Sequence, residues 1–247
     1  MPVVDVNGAR LWYDEAGQGE VVVLLHGGLG DSGLWEPIVP FLAERFRVLR
    51  VDFRFFGRSA GPFAPFSFAG DTVGVLDELG IERAALVGLS LGGSVAFDVA
   101  LEHPERVWAV AGVAPGLSGH VFSVGDELEA AYEAAEDVET VMALDFQVWA
   151  PLGVEERFVR LWRETPDADP LPPGVEALPP RVPATERIGE LAVPALVVTV
   201  THDPPDLREV ASLVPGAGHV ELDSDHYVTL REPGAVARVL LDFLESA

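Results

Sequence analysis

The sequence predicts an α/β architecture, a mostly parallel central sheet flanked by helices and interrupted by one helical insertion. Three observations predict it. Short runs such as VVVLL (21–25), AALVG (84–88) and LVVTV (196–200) are apolar throughout rather than alternating, as strands buried on both faces require. Between such runs lie longer segments with helical spacing, and strands that alternate with helices build a parallel sheet covered on both sides. The alternation stops between residues 116 and 186 and then resumes.

Taken in order, residues 2–6 and 9–14 read as short strands joined at Asn7-Gly8, a pair suited to the positive-φ positions of a two-residue hairpin. The strand at 21–25 leads into a glycine-rich loop, a helix near 34–44 and a strand at 48–51. A helix near 69–79, a strand at 84–88, a helix near 91–102 and a strand at 107–113 repeat the unit. Residues 116–186 read as helical pieces within DELEAAYEAAEDVETVMALDFQVW, followed by the proline-rich DADPLPPGVEALPP. They are expected to form a helical cap inserted into a core made of residues 1–115 and 187–247. The core resumes with a strand at 194–200, a short helix near 206–213 and a strand at 218–222. A last amphipathic helix at 233–245 places Val236, Val239, Leu240 and Phe243 on one face.

Composition narrows the chemistry. The 247 residues, 49% of them hydrophobic, suffice for a sizeable core. The apolar runs are far too short to span a bilayer, and MPVVDVNGAR has no basic start before an apolar core, so a soluble, cytoplasmic protein is expected. A formal charge of −24 opposes nucleic acid or an anionic membrane as partner. With no cysteine, disulfides, thiolate metal sites and cysteine nucleophiles are excluded. All 16 basic residues are arginine, which removes the lysine of a phosphate-binding loop and any Schiff-base lysine.

Two motifs compete for the active site. In LVGLSLGGS, Gly88, Ser90 and Gly92 form Gly-x-Ser-x-Gly between a strand and a helix, where a serine in strained backbone needs small neighbours. In HGGLGDSG, Gly28, Gly30 and Gly33 form Gly-x-Gly-x-x-Gly, and Asp52 ends the next strand 52 − 28 = 24 residues on, the pattern of a dinucleotide-binding unit. That second reading leaves Ser90 without a role, and a hairpin precedes the unit. The same glycines also suit a serine nucleophile, because the Gly28 and Leu91 amides could hold a developing oxyanion.

HGGLGDSGLW, GLSLGG and DHYVTLREP together resemble the α/β-hydrolase superfamily, over essentially the whole chain. The resemblance implies the α/β-hydrolase fold and a triad in the order serine, acid, histidine. It places the acid in the loop after the strand PALVVTV, at Asp203, with Asp206 as the alternative and a helix N-cap otherwise. It places the histidine after the last strand, at His226, which lies 233 − 226 = 7 residues before the proline of the final helix; His219 falls inside the strand. The implied chemistry is acyl transfer without metal or organic cofactor. His226 takes the proton from Ser90, Asp203 fixes the imidazole, and the amides of Gly28 and Leu91 stabilise the oxyanion.

The chain departs from the family pattern at three places. Phe55 stands where glycine is usual; if the position has positive φ, the side chain costs on the order of 1 kcal/mol. Val200 replaces a glycine at the start of the acid loop, and Asp225 replaces one before the histidine, where a carboxylate facing the ring would raise the His226 pKa. The acid-to-base interval, 226 − 203 = 23, is short. Leu29, Phe55, Phe56, Phe122, Phe146, Trp149 and Trp162 are the residues expected to touch substrate, with Phe158 also in the aromatic set of the insertion. An apolar roof over the serine implies a small hydrophobic ester or lactone. Relatives also cleave carbon–carbon bonds or catalyse eliminations, and some bind ligands without turnover, whereas serine at the elbow argues against dehalogenase and epoxide hydrolase chemistry. A monomer or a homodimer is expected.

Overall fold

In the computed structural model, which describes residues 2–62, 64–164 and 176–247, eight strands form one sheet in the order β1-β2-β4-β3-β5-β6-β7-β8. The strands are β1 (Val3–Val6), β2 (Ala9–Ala16), β3 (Val21–Leu25), β4 (Arg47–Val51), β5 (Ala84–Leu89), β6 (Val107–Val113), β7 (Ala195–Val200) and β8 (Gly218–Leu222). β1 and β2 form the expected hairpin about Asn7 and Gly8, at φ 49° and 80°, and β2 pairs antiparallel with β4. From β4 onward every pairing is parallel, with Leu25 level with Val51 and Gly88.

Alternate residues of the central strands feed two cores. Val23, Leu25, Leu49 and Leu86 face one cluster, while Val22, Leu24, Val48 and Val87 face the other, so both faces are covered as their unbroken hydrophobicity required. One face carries α2 (Phe68–Glu78), capped by the Ser67 hydroxyl, and α3 (Leu91–Glu102). The other receives α11 (Pro233–Leu244) through Val236 and Leu240, and α1 (Val39–Leu42) precedes β4.

Two expected helices differ. The helix near 34–44 is a 3-10 turn at Ser32–Trp35 and the single turn α1. Pro37 and Pro40 supply no amide hydrogen, which prevents a continuous ladder. The helix near 206–213 is two single turns, α8 (Pro205–Arg208) and α9 (Val210–Leu213). Between β6 and β7 lie α4 (Asp126–Glu133), α5 (Val138–Trp149), α6 (Glu156–Glu164) and α7 (Ala184–Arg187), and α10 (Val228–Arg231) follows β8. The long helical pattern breaks between α4 and α5 because Asp137 caps the second, its carboxylate accepting the Thr140 amide at 2.7 Å. Residues 167–175 of the proline-rich stretch lie outside the described residues. Among the described residues no helix is long and apolar enough to cross a membrane.

Candidate active site

Ser90 occupies the one-residue turn between β5 and α3 at φ 52°, ψ −115°, a conformation that costs on the order of 1–3 kcal/mol. Its neighbours hold it there. The Ser90 amide donates to the Val113 carbonyl at 3.0 Å, and its own carbonyl accepts from Gly93, Ser94 and Gly116. A Cβ at Gly88 would stand 2.0 Å from the Gly92 carbonyl oxygen, and one at Gly92 would stand 2.2 Å from that of Leu25. Only glycine lets these backbones approach, so the motif spacing follows directly from the elbow's geometry.

The glycine-rich loop is pressed against this turn. A Cβ on Gly27 would come within 3.3 Å of the Ser90 Cβ, whereas Gly28 faces open space. Among the described residues neither the Gly28 nor the Leu91 amide donates to a protein acceptor. His26, fully buried below the loop, accepts the Phe53 amide at Nε2 (2.9 Å), so its proton sits on Nδ1, 2.7 Å from the Gly27 carbonyl. Burial holds its pKa below the usual imidazole value, which keeps this tautomer neutral.

Asp52 settles the rival reading of the glycine motif. Its fully buried carboxylate accepts from the Ser32 amide (3.0 Å) and from the Arg58 amide and guanidinium (2.9 Å each). Burial alone would raise its pKa, but the hydrogen bonds from Arg58 and Ser32 outweigh it and hold the carboxyl below its ordinary value. No acceptor is left for a ribose, and the helix after the loop is a four-residue 3-10 turn capped by Asp31. The dinucleotide reading is therefore overturned.

At the ends of β7 and β8 the loops are stitched together, with the Thr201 amide on the Leu222 carbonyl and the His202 amide on that of Ser224. This brings Asp203 to His226. Both carboxylate oxygens lie 3.0 Å from His226 Nδ1, and both side chains are buried. Asp203, and not Asp206, meets the imidazole. Asp206 instead ties down the start of the insertion, accepting the Ser123 amide on its side chain (3.1 Å) and His120 Nε2 on its carbonyl (2.8 Å). His219 lies in β8, 2.8 Å from the Thr199 hydroxyl.

The insertion reaches the histidine through Trp149. The His226 amide donates to the Trp149 carbonyl at 3.2 Å, the two rings lie 4.6 Å apart, and Phe122 sits edge-on to Trp149 at 5.6 Å. The other residues named for the substrate pocket make contacts of their own within the fold. Phe146 packs against Tyr227, and the Trp162 indole donates to Asp145 (2.7 Å), which also accepts the Tyr132 hydroxyl. Phe158 is stacked on Tyr227 at 4.2 Å. Phe56 is in the core against His26, Phe55 has φ 70° and an edge contact with Phe66, and Leu29 packs on the second core cluster.

Asp225 is also placed otherwise than expected. Its enclosed carboxylate accepts from Arg231 Nε (2.7 Å) and from the Tyr227 and Leu152 amides (3.2 Å each), so its charge is met by a guanidinium. Sequence reasoning missed Arg231, whose remaining partners lie more than 70 residues away, at Gly153 and Glu155. It also missed Asp98 on α3. Burial raises the Asp98 pKa to about 6, a shift the Ser118 hydroxyl partly opposes and Glu102 reinforces.

The family model described as alpha/beta hydrolase fold matches residues 20–233. The chain is 29% identical to 2-hydroxy-6-oxo-6-phenylhexa-2,4-dienoate hydrolase of Burkholderia cepacia, over 97% of this chain and 92% of that protein. It superposes on the enol-lactonase of Burkholderia xenovorans with a TM-score of 0.80 at 28% identity, covering 99% of this chain and all of that one. It superposes on an enzyme that degrades N-acyl homoserine lactones with a TM-score of 0.78 at 26% identity, covering 98% and 100%. Fold, elbow geometry and family match agree, and the chain belongs to the α/β-hydrolase fold family.

Proposed function

We propose that this hydrolase is a serine hydrolase that cleaves a small hydrophobic carboxylic ester or lactone through an acyl-enzyme. The observation that carries the reading is the buried His226–Asp203 contact, in a chain whose elbow serine is held at φ 52°. Asp203 accepts the Nδ1 proton, which leaves Nε2 of His226 as the base for the Ser90 hydroxyl. As the Ser90 oxygen bonds to the carbonyl carbon, its proton passes to His226, and the oxyanion is met by the Gly28 and Leu91 amides. Collapse expels the alcohol, or opens the lactone, with the proton returned from His226. Water then cleaves the acyl-enzyme with His226 again as base.

Residues 116–186 act in this reading as a cap, with Trp149 and Phe122 as the apolar wall beside the base. The enol-lactonase and the acyl homoserine lactone-degrading enzyme favour an ester-type bond. A second reading, hydrolysis of a carbon–carbon bond on the same three residues, draws on the dienoate hydrolase, whose substrate name contains a ketone and no ester. Labelling with a fluorophosphonate, read by intact mass, tests the nucleophile: one adduct is expected on the wild type and none on Ser90→Ala. Absence of an adduct on both would sink the acyl-enzyme and leave ligand binding without turnover. Product analysis on an ester, a lactone and a vinylogous ketone then separates the two bond classes.

A further inference from the structure

Asp225, the residue before His226 in the chain, is paired with Arg231. Arg231, at the end of α10, spreads its donors over three acceptors: Nε on Asp225 (2.7 Å), Nη1 on Glu155 (3.2 Å) and Nη2 on the Gly153 carbonyl. Its guanidinium carbon also lies 4.8 Å from the centre of the Phe158 ring. Asp225 is fully enclosed, and besides Arg231 it accepts the amides of Tyr227 and Leu152. The pair therefore grips both chain neighbours of His226 and, across the interface, residues 152, 153, 155 and 158 of the insertion. His226 itself donates its amide to the Trp149 carbonyl, and the two rings lie 4.6 Å apart.

We propose that Arg231, acting through Asp225, is a positioning residue for the base. It docks the His226 loop onto residues 149–158, so that imidazole, Trp149 wall and insertion move as one body. The inference rests on the reading of His226 as the base. Its physical grounds are two. A buried carboxylate on the residue next to His226 in the chain needs a compensating cation, or the loop would rearrange to hydrate it. A planar guanidinium spreads its donors in a fixed fork that reaches a carboxylate, a main-chain carbonyl and a second carboxylate while lying on an aromatic ring; lysine offers a point charge without that fork.

The test measures the second-order rate of fluorophosphonate labelling, per folded protein by circular dichroism, beside Tm. Arg231→Gln is expected to slow labelling by about ten-fold or more, as a misplacement of the base of an ångström or less would. Arg231→Lys, which keeps a cation for Asp225 but loses the fork, is expected between the two. Arg231→Gln strands a buried charge and could fail to fold, so the double variant Asp225→Asn/Arg231→Gln carries the decision. Its Tm is expected to recover toward wild type while labelling stays slow, whereas a merely structural role would make the rate recover with Tm. Wild-type labelling in Arg231→Gln, or a rate that recovers in the double variant, overturns the positioning role alone. No labelling of the wild type removes the base itself, and with it both readings.

Discussion

Phe55 sits at φ 70° in the loop after β4, a conformation that glycine adopts freely and phenylalanine adopts under strain. What holds it is the Arg54 guanidinium before it, paired through two 2.8 Å bonds with the buried Asp71 carboxylate, and the Phe55–Phe66 ring contact. Glycine at this position would relieve strain and lose that contact, and alanine would lose the contact and keep the strain. Phe55→Gly is therefore expected to stay within about 1 kcal/mol of wild type in urea unfolding, with Phe55→Ala less stable than Phe55→Gly. The reverse order would show that the loop does not keep its positive φ. The departure from the family pattern was legible in the sequence. The ion pair that supports it was not, because a run of letters does not say which carboxylate Arg54 will meet.

At the scale of elements, α3 and the inserted segment share one buried node. The Ser118 hydroxyl donates to Asp98 on α3 at 2.5 Å and accepts the Ala184 amide at 2.7 Å, so the start and the end of the insertion meet on the helix behind Ser90. Burial pushes the Asp98 carboxyl up to about 6, against an ordinary value of 3.8. A carboxyl whose folded-state pKa is raised favours the native state while protonated, so its contribution is complete below about pH 4 and is lost as pH rises through 6. At pH 8 the ionised group costs on the order of 2–3 kcal/mol. Asp98→Asn keeps an acceptor for Ser118 and is expected to raise Tm at pH 8 and to leave it unchanged near pH 4. An equal change at both pH values would show that Asp98 does not titrate in the folded protein. Strands and long helices were readable at this scale, since apolar runs and helical spacing are local. The helix near 34–44 was misread because two prolines interrupt its spacing, and Asp137 within the long helical pattern was not recognised as a cap.

Over the whole molecule, 40 acidic residues face 16 arginines, and a net charge of −24 is a standing repulsion within the folded state. Exposed pairs such as Arg47–Glu15 and Arg163–Glu139 contribute about 0–1 kcal/mol each, and salt weakens them. The repulsion acts over longer distances and is screened more, because the Debye length falls to about 10 Å at 0.1 M. Raising NaCl from about 20 mM to about 500 mM is expected to raise Tm by a few degrees. A fall would mean that the arginine pairs outweigh the excess acid. The glycines around Ser90, the order of Ser90, Asp203 and His226 along the chain, and the run of strands were determined by the sequence itself, since each depends on residue type and spacing along the chain. Only the tertiary structure decided that Asp52 is closed by Arg58, that Asp203 rather than Asp206 meets His226, and that Asp225 meets Arg231 rather than the imidazole. The physical reason is distance along the chain: the bonds that tie the His226 loop to residues 152–155 join positions 73 to 78 apart, and their partners are set by how those two segments pack together.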